Sequence, residues 1–528
     1  MQDLNQVKNF LKTCPSYNQW KNIKIKNHHG FVVPLFAIHS HTSCGIGEFL
    51  DLIPLIDWCS CINIDVIQLL PLNEMGRDFS PYNAISSIAL DPIYLCLYAL
   101  PNVKKHKDLA KDLTYFTDYN KNPKICYPDI KKLKLNWLFK YFKKEFKNFE
   151  KTKHYQNFIK QNPELNKYAL FRSIREEYGD KKWQTWPLKY QNPSEKIIDK
   201  LTEKYKLSIS FYKFLQYLCY LQLEKVKEYA FKKKVFIKGD IPILISPDSY
   251  DVWNFKSYFD LSHVVGCPPD DFNMAGQKWG FPLFNWTAIK KDNFDWWKTR
   301  LNVASSIYHL YRIDHVVGFF RLWTMLPKQD PINGKFLPKD PKKWFSQGKE
   351  ILLNIINASP MLPLAEDLGL IPDEVYSILN ELGICGTKIM CWQYKKRKYI
   401  PYDKYNPLSM TTTGTHDLES LEEWWKKHPK EAKAFAKFKG WNYSPKFSKK
   451  MRFEILKDSH HTNSLFHINP LVEYLNLFNE LSWNSPQDDR INIPGTSLPT
   501  NWTYKFKPSI EKIISHEALK NKIINIIH

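Results

Sequence analysis

The chain has 528 residues, 43% of them hydrophobic and 15% aromatic, enough for a large core and too many for one minimal domain. Its formal net charge is +22, but the cations are mostly Lys and are dispersed. In the densest stretch, from Lys131, they alternate with apolar residues at helical spacing, which argues against a dedicated nucleic-acid surface and predicts a solvated amphipathic helix. No apolar run approaches the ~18 residues of a membrane span and the first twenty residues lack an apolar leader core, so a cytoplasmic protein without membrane association is expected. The ten cysteines, of which Cys59 and Cys61 are the closest pair, lack metal or redox spacing and are expected to be reduced and mostly buried.

In chain order, short apolar runs that end in polar or Gly punctuation read as strands. They are FVVPLFAI from Phe31, IDVIQLLPL from Ile64, KVFIKGDIPI from Lys234, YHLYRIDH from Tyr308, MLPLAEDL from Met361, GTKIMCWQ from Gly386, SMTTTGTH from Ser409 and RINIP from Arg490. Helical patterns lie between several of them. GEFLDLIPLIDWCS from Gly47 carries an apolar face, and PDEVYSILNEL opens on Pro372 with Asp373 and Glu374 in its first turn. Repeated βα units of this number predict one catalytic α/β domain over residues 1–528, a (β/α)8 TIM barrel with large, mostly helical insertions on the catalytic face. The expected insertions are a subdomain at 91–231 between the second and third strands and a Pro- and Trp-rich wall at 246–300. A helical segment at 418–488 is expected to join the seventh and eighth strands. Long ordered excursions of this kind form lids and substrate walls.

Three of the strand ends carry acids. Asp314 follows Arg312 and precedes His315, and a neighbouring cation favours the ionised form a nucleophile needs. Glu366 leaves an apolar strand beside Asp367; desolvation and a second negative charge raise a carboxyl toward the pKa of a general acid. Asp367 itself suits a helix N-cap. In TTTGTHD, Gly414 permits a close backbone approach, and His416 with Asp417 can grip adjacent sugar hydroxyls. Two carboxylates across one bond and a third on the substrate are what cleavage of an acetal between sugars requires. The same residues also admit an ion pair at 312–314 or a plain loop pair at 416–417, and metal binding lacks a third ligand at suitable spacing.

The ordered motifs GIGEF, QLLPL, DFSPYNAISSIALDPIYL, GDIPILISPDSYDVW, GCPPDDFNMAGQKWGFPLFNW, RIDHVVGFFRLW, LAEDLG, GTKIM, TTGTHD and RINIPGTSLPTNWTYKF span nearly the whole chain. Together they resemble the 4-α-glucanotransferases of the amylomaltase and disproportionating-enzyme type, glycoside hydrolase family 77. The resemblance implies transfer of α-1,4-glucan segments from a maltodextrin or glycogen donor to glucose or another maltodextrin, with no metal or organic cofactor. It implies Asp314 as nucleophile, Glu366 as acid/base and Asp417 as transition-state stabiliser. Tyr82, Asp248, Gln277, Trp279, Arg312, His315 and His416 match positions that line the sugar subsites. Two departures stand out: Val317 where many bacterial members carry Arg, and Lys505 in the closing NWTYKF where Arg is usual. A hydrolase of the same barrel class and a catalytically silent glycogen-binding protein are the alternatives.

Overall fold

The computed structural model describes residues 4–269, 274–395 and 397–528. Eight parallel strands form its central sheet: β1 (His28–Val32), β2 (Val66–Gln68), β3 (Phe236–Ile241), β4 (Leu310–Ile313), β5 (Leu362–Ala365), β6 (Gly386–Ile389), β7 (Ser409–Thr412) and β8 (Phe466–Pro470). Neighbours in the chain pair in parallel from β1 to β5 and from β6 to β8, and β8 returns to β1. The remaining seam, between β5 and β6, closes through a single bridge, Leu364 to Cys385. This is the expected (β/α)8 barrel.

Two strand expectations need correction. RINIP at Arg490 is irregular, and the eighth strand is FHINP, from Phe466. The backbone of the 490 loop is spent elsewhere: Asn492 N donates to His416 O and Trp502 N to Ile491 O, which leaves no ladder. The 418–488 stretch therefore contains β8 instead of ending before it. The first strand begins at His28 and stops at Val32, because Pro34 supplies no N–H to a ladder and Leu35–Ala37 turn into a short 3-10 helix.

Helices α1 (Leu4–Leu11) and α2 (Tyr17–Ile23) plug the amino-terminal end of the barrel. Trp20 is fully buried there against Phe466 and donates its indole N–H to Gly383 O at 2.8 Å. Between β2 and β3 the chain makes its long excursion, which includes α3 (Tyr127–Glu150), α4 (Glu164–Glu177) and α5 (Lys206–Lys232). The lysine-rich run from Lys131 is part of α3, and Ile130, Trp137, Leu138, Tyr141 and Phe142 form its buried face. Pro128 and Asp129 in the first turn start it. The segment 246–300 and the residues after β4 jointly build a small antiparallel sheet, in which Val264–Cys267 pairs with Gln277–Lys278 and Leu322–Met325, and the latter with Lys335–Leu337. Seven of the ten cysteines are buried. Among the described residues no helix is long and apolar enough to cross a membrane.

One lysine of α3 departs from the solvated pattern. Lys134 is 1% exposed and places its ammonium 2.5 Å from Glu48 Oε1, 2.7 Å from Ile93 O and 2.9 Å from Leu95 O. The inserted helix is thus bolted to the first loop of the barrel through a buried ion pair. Lys134→Met leaves Glu48 charged and unmatched, so we expect a stability loss of roughly 3 to 5 kcal/mol in urea unfolding. A loss below about 1 kcal/mol would show that the bolt is dispensable.

Candidate active site

Register places the acids. Asp240 on β3, Arg312 on β4 and Leu364 on β5 are cross-strand partners at one level of the barrel. Successive strand residues alternate faces, so Arg312 and Asp314 both point inward, as does Glu366 two residues beyond Leu364. The Arg312 guanidinium fills the space between them. Nη1 donates to both Asp240 oxygens at 2.9 Å; Nη2 lies 2.7 Å from Asp314 Oδ1 and 3.8 Å from Glu366 Oε2. The Tyr82 hydroxyl donates to Asp240 Oδ2 at 2.7 Å, and its ring stacks on His416 at 5.0 Å.

Glu366 is held by the backbone. Its Oε2 accepts from His315 N at 2.7 Å and its Oε1 from Leu368 N at 3.0 Å. The first of these bonds depends on His315 adopting φ +48°, a left-handed conformation that is costly for a non-glycine residue and recurs where a site demands it. Burial is the main force on the Glu366 carboxyl and raises it to about 7; Arg312 pulls it down and Asp314 adds to the rise. The His315 imidazole, desolvated in the same place, is lowered to about 4 and is therefore neutral at pH 7.

Asp417 experiences the opposite balance. Burial pushes it up, but His416, with Nε2 at 3.3 Å, the Asn492 amide at 2.6 Å and the more distant Arg312 outweigh that and hold it at about 2. Arg490 fixes the same turn by donating to Asp417 O at 2.8 Å. The close backbone approach expected at Gly414 does not occur, since a Cβ there would meet nothing nearer than 3.8 Å.

The wall above this cluster includes Trp279, whose ring meets His315 edge-on at 5.0 Å and whose indole N–H donates to Gln277 Oε1 at 3.1 Å. Tyr82, Gln277, Trp279, Arg312, His315 and His416 thus join the three acids through a chain of direct contacts. Asp248 does not. Its carboxylate takes Arg175 Nη1 at 2.9 Å and Trp183 N at 3.1 Å, so it ties the inserted helices to the loop after β3. Asp367 is no helix cap either: Pro372 precedes the helix Asp373–Leu382, and Asp367 Oδ1 accepts Thr387 N at 2.6 Å across the β5–β6 seam.

Two groups escaped the sequence reading. Asp240, in KGDIPI, is the last but one residue of its strand, and an acid within that apolar run was sufficient to mark it. Asn492 was hidden because RINIP reads as a strand. The two departures have structural explanations. Val317 is buried in the 3-10 turn after Asp314, and Lys505 is 1% exposed with its ammonium 2.8 Å from Asn120 O and 3.2 Å from Asn122 O.

The glycoside hydrolase family 77 model, described as 4-alpha-glucanotransferase, matches residues 33–511. The chain belongs to the 4-α-glucanotransferase family. It is 43% identical over 526 residues to a 4-alpha-glucanotransferase of Chlamydia pneumoniae, covering 99% of each chain. A 4-alpha-glucanotransferase DPE2 of Oryza sativa subsp. japonica is 36% identical over 320 residues, 58% of this chain and 34% of the plant protein. Among solved structures, the amylomaltase from Streptococcus agalactiae in complex with acarbose superposes with a TM-score of 0.79 at 25% identity, covering 95% of this chain and 98% of that one. Membership establishes an enzyme of transglycosylation on α-1,4-glucans.

The Asp240–Arg312 pair generates a direct test. Asp240→Asn removes the charge that holds Arg312 in place, and a displacement on the order of 1 Å at a reacting centre costs about 10²-fold in rate. We expect a drop of that size in glucose release from maltotriose, with circular dichroism unchanged. Near-normal rates would show that Arg312 needs no anchor.

Proposed function

We propose that the chain is a retaining 4-α-glucanotransferase in which Asp314 attacks the anomeric carbon of the donor and Glu366 protonates the departing glycosidic oxygen. The donor segment, drawn from a maltodextrin or glycogen, is then held as an ester on Asp314. The 4-hydroxyl of glucose or another maltodextrin gives its proton to the Glu366 carboxylate and displaces the ester, which restores both acids. The observation that carries this reading is the shared nitrogen of Arg312. Its 2.7 and 3.8 Å legs bound the separation of Asp314 Oδ1 and Glu366 Oε2 at their sum, 6.5 Å. Carboxyl groups ~5 to 5.5 Å apart accompany retention, whereas inversion needs ~6.5 to 9.5 Å to admit a water.

Electrostatics supports the division of labour. A Glu366 raised to about 7 remains substantially protonated at neutral pH, as a proton donor must, whereas Asp417 at about 2 is an anion able to grip hydroxyls and face an oxocarbenium-like centre. Trp279 and Gln277 on the 246–300 excursion and the Tyr82 ring supply apolar and polar walls for sugar rings. An aromatic cover favours a sugar over water as the second substrate, which supports transfer over hydrolysis.

Incubation with maltotriose should yield a ladder of longer and shorter maltodextrins together with glucose. A 2-fluoro or 5-fluoro glucosyl fluoride should label Asp314 covalently, read by peptide mass spectrometry. Glucose and maltose without longer products, or label on another carboxylate, would overturn the assignment.

A further inference from the structure

The segment that carries Asp314 continues into Arg321, a residue without a part in the scheme above. Arg321 N donates to Val317 O at 2.9 Å and so extends the turn that follows Asp314. Its guanidinium lies in the corner between two rings set edge to face, with Cζ 4.0 Å from the Phe336 centroid and 4.7 Å from that of Trp344. These rings come from the strand Lys335–Leu337 and from the start of the helix Lys342–Asn357. Trp344 is itself fixed, its indole N–H donating to Pro338 O at 2.7 Å. Held on two adjacent sides in this way, Arg321 sends one N–H outward: Nη2 donates to Leu370 O at 3.0 Å.

Leu370 lies in the loop that follows Glu366. Its side chain is 60% exposed, so apolar burial does not hold that residue, and the preceding Gly369 sits at φ +90°, where the chain turns freely. Two residues before Leu370 comes the N–H of Leu368, the donor to Glu366 Oε1. The opposite oxygen, Oε2, takes its bond from His315 N. A single segment, 314–321, therefore reaches the Glu366 carboxyl twice, at one oxygen directly through His315 and at the other through Arg321, the loop and Leu368.

We propose that Arg321 is a positioning residue for proton donation, one that aims the Glu366 carboxyl by pinning the 368–370 loop. The proposal rests on the assignment of Glu366 as proton donor. The guanidinium suits the device, because a delocalised, weakly hydrated cation held against two rings has lost part of its freedom before it makes its hydrogen bond, whereas a lysine ammonium is a compact, strongly hydrated point charge. Without the tie, Leu368 N drifts and the carboxyl loses its aim at the leaving oxygen. Asp314, anchored by Arg312 on β4, keeps its line of attack.

The readout is the dependence on the leaving group. Cleavage of maltotriose needs a proton on the departing oxygen, whereas α-glucosyl fluoride loses an anion that is stable without one. General acid assistance is worth ~10²- to 10⁴-fold, and a misaimed acid forfeits part of it. We expect Arg321→Met to lose on the order of tenfold more kcat/KM on maltotriose than on α-glucosyl fluoride, and Arg321→Lys, which still reaches Leu370 O, to show the same bias at smaller size. Equal losses on both donors, or none, would overturn the proposal, and Arg321→Lys decides the matter if the Met variant fails to fold. Glu366→Gln serves as the reference. A bias in Glu366→Gln with none in the Arg321 variants refutes the positioning role alone, and equal losses in Glu366→Gln refute the Glu366 assignment and the proposal with it.

Discussion

The guanidinium of Arg312 is the constraint around which the site is assembled. It is the one cation in direct contact with Asp240, Asp314 and Glu366 among the described residues, and each of those acids comes from a different strand. Three carboxylates facing one another in a partly desolvated cup repel strongly, and a planar donor with five N–H groups satisfies several of them at fixed angles as no lysine does. Below it, Lys238 points into the barrel two residues before Asp240. Burial and the charge of Arg312 lower its ammonium to about 7, and its described partners are Gln68 Oε1 and Met410 Sδ. The barrel thus concentrates its positive charge in Arg312, at the level where the acids need it.

Arg312 also touches the acids unequally. It contacts Asp314 and Asp240 closely and Glu366 only at 3.8 Å, so Glu366 has the weakest of its charge-assisted contacts, while burial raises the carboxyls of Asp240 and Glu366 alike. Asp417 stands apart from that balance, with His416 and Asn492 as its own counterweights.

Much of this was legible in the sequence, because a barrel strand is a short apolar run and an acid at its end interrupts that run visibly. Asp314, Glu366 and Asp417 stood out for that reason, and Arg312 through its spacing of two from Asp314. What escaped notice was long-range. FHINP hides a strand behind His467 and Asn469, which are buried and hydrogen-bonded to Ser459, whereas RINIP imitates a strand and serves as the loop that brings Asn492 to Asp417. Asp248 matched a subsite motif, yet its carboxylate is spent on Arg175 and Trp183, partners 73 and 65 residues away that no local pattern announces. Lys134 read as a solvent lysine until Glu48 came to meet it.

The central claim is that Arg312 and burial together set the proton affinity of Glu366. It is tested most directly by titrating that carboxyl with infrared difference spectroscopy, using Glu366→Gln as the blank, in the parent enzyme and in Arg312→Gln. In the parent the carboxyl should titrate near about 7. Removing the cation takes away the attraction that opposes burial, so in Arg312→Gln the transition should move to higher pH. A Glu366 that titrates in the ordinary carboxylate range, or one that is indifferent to Arg312, would contradict the account.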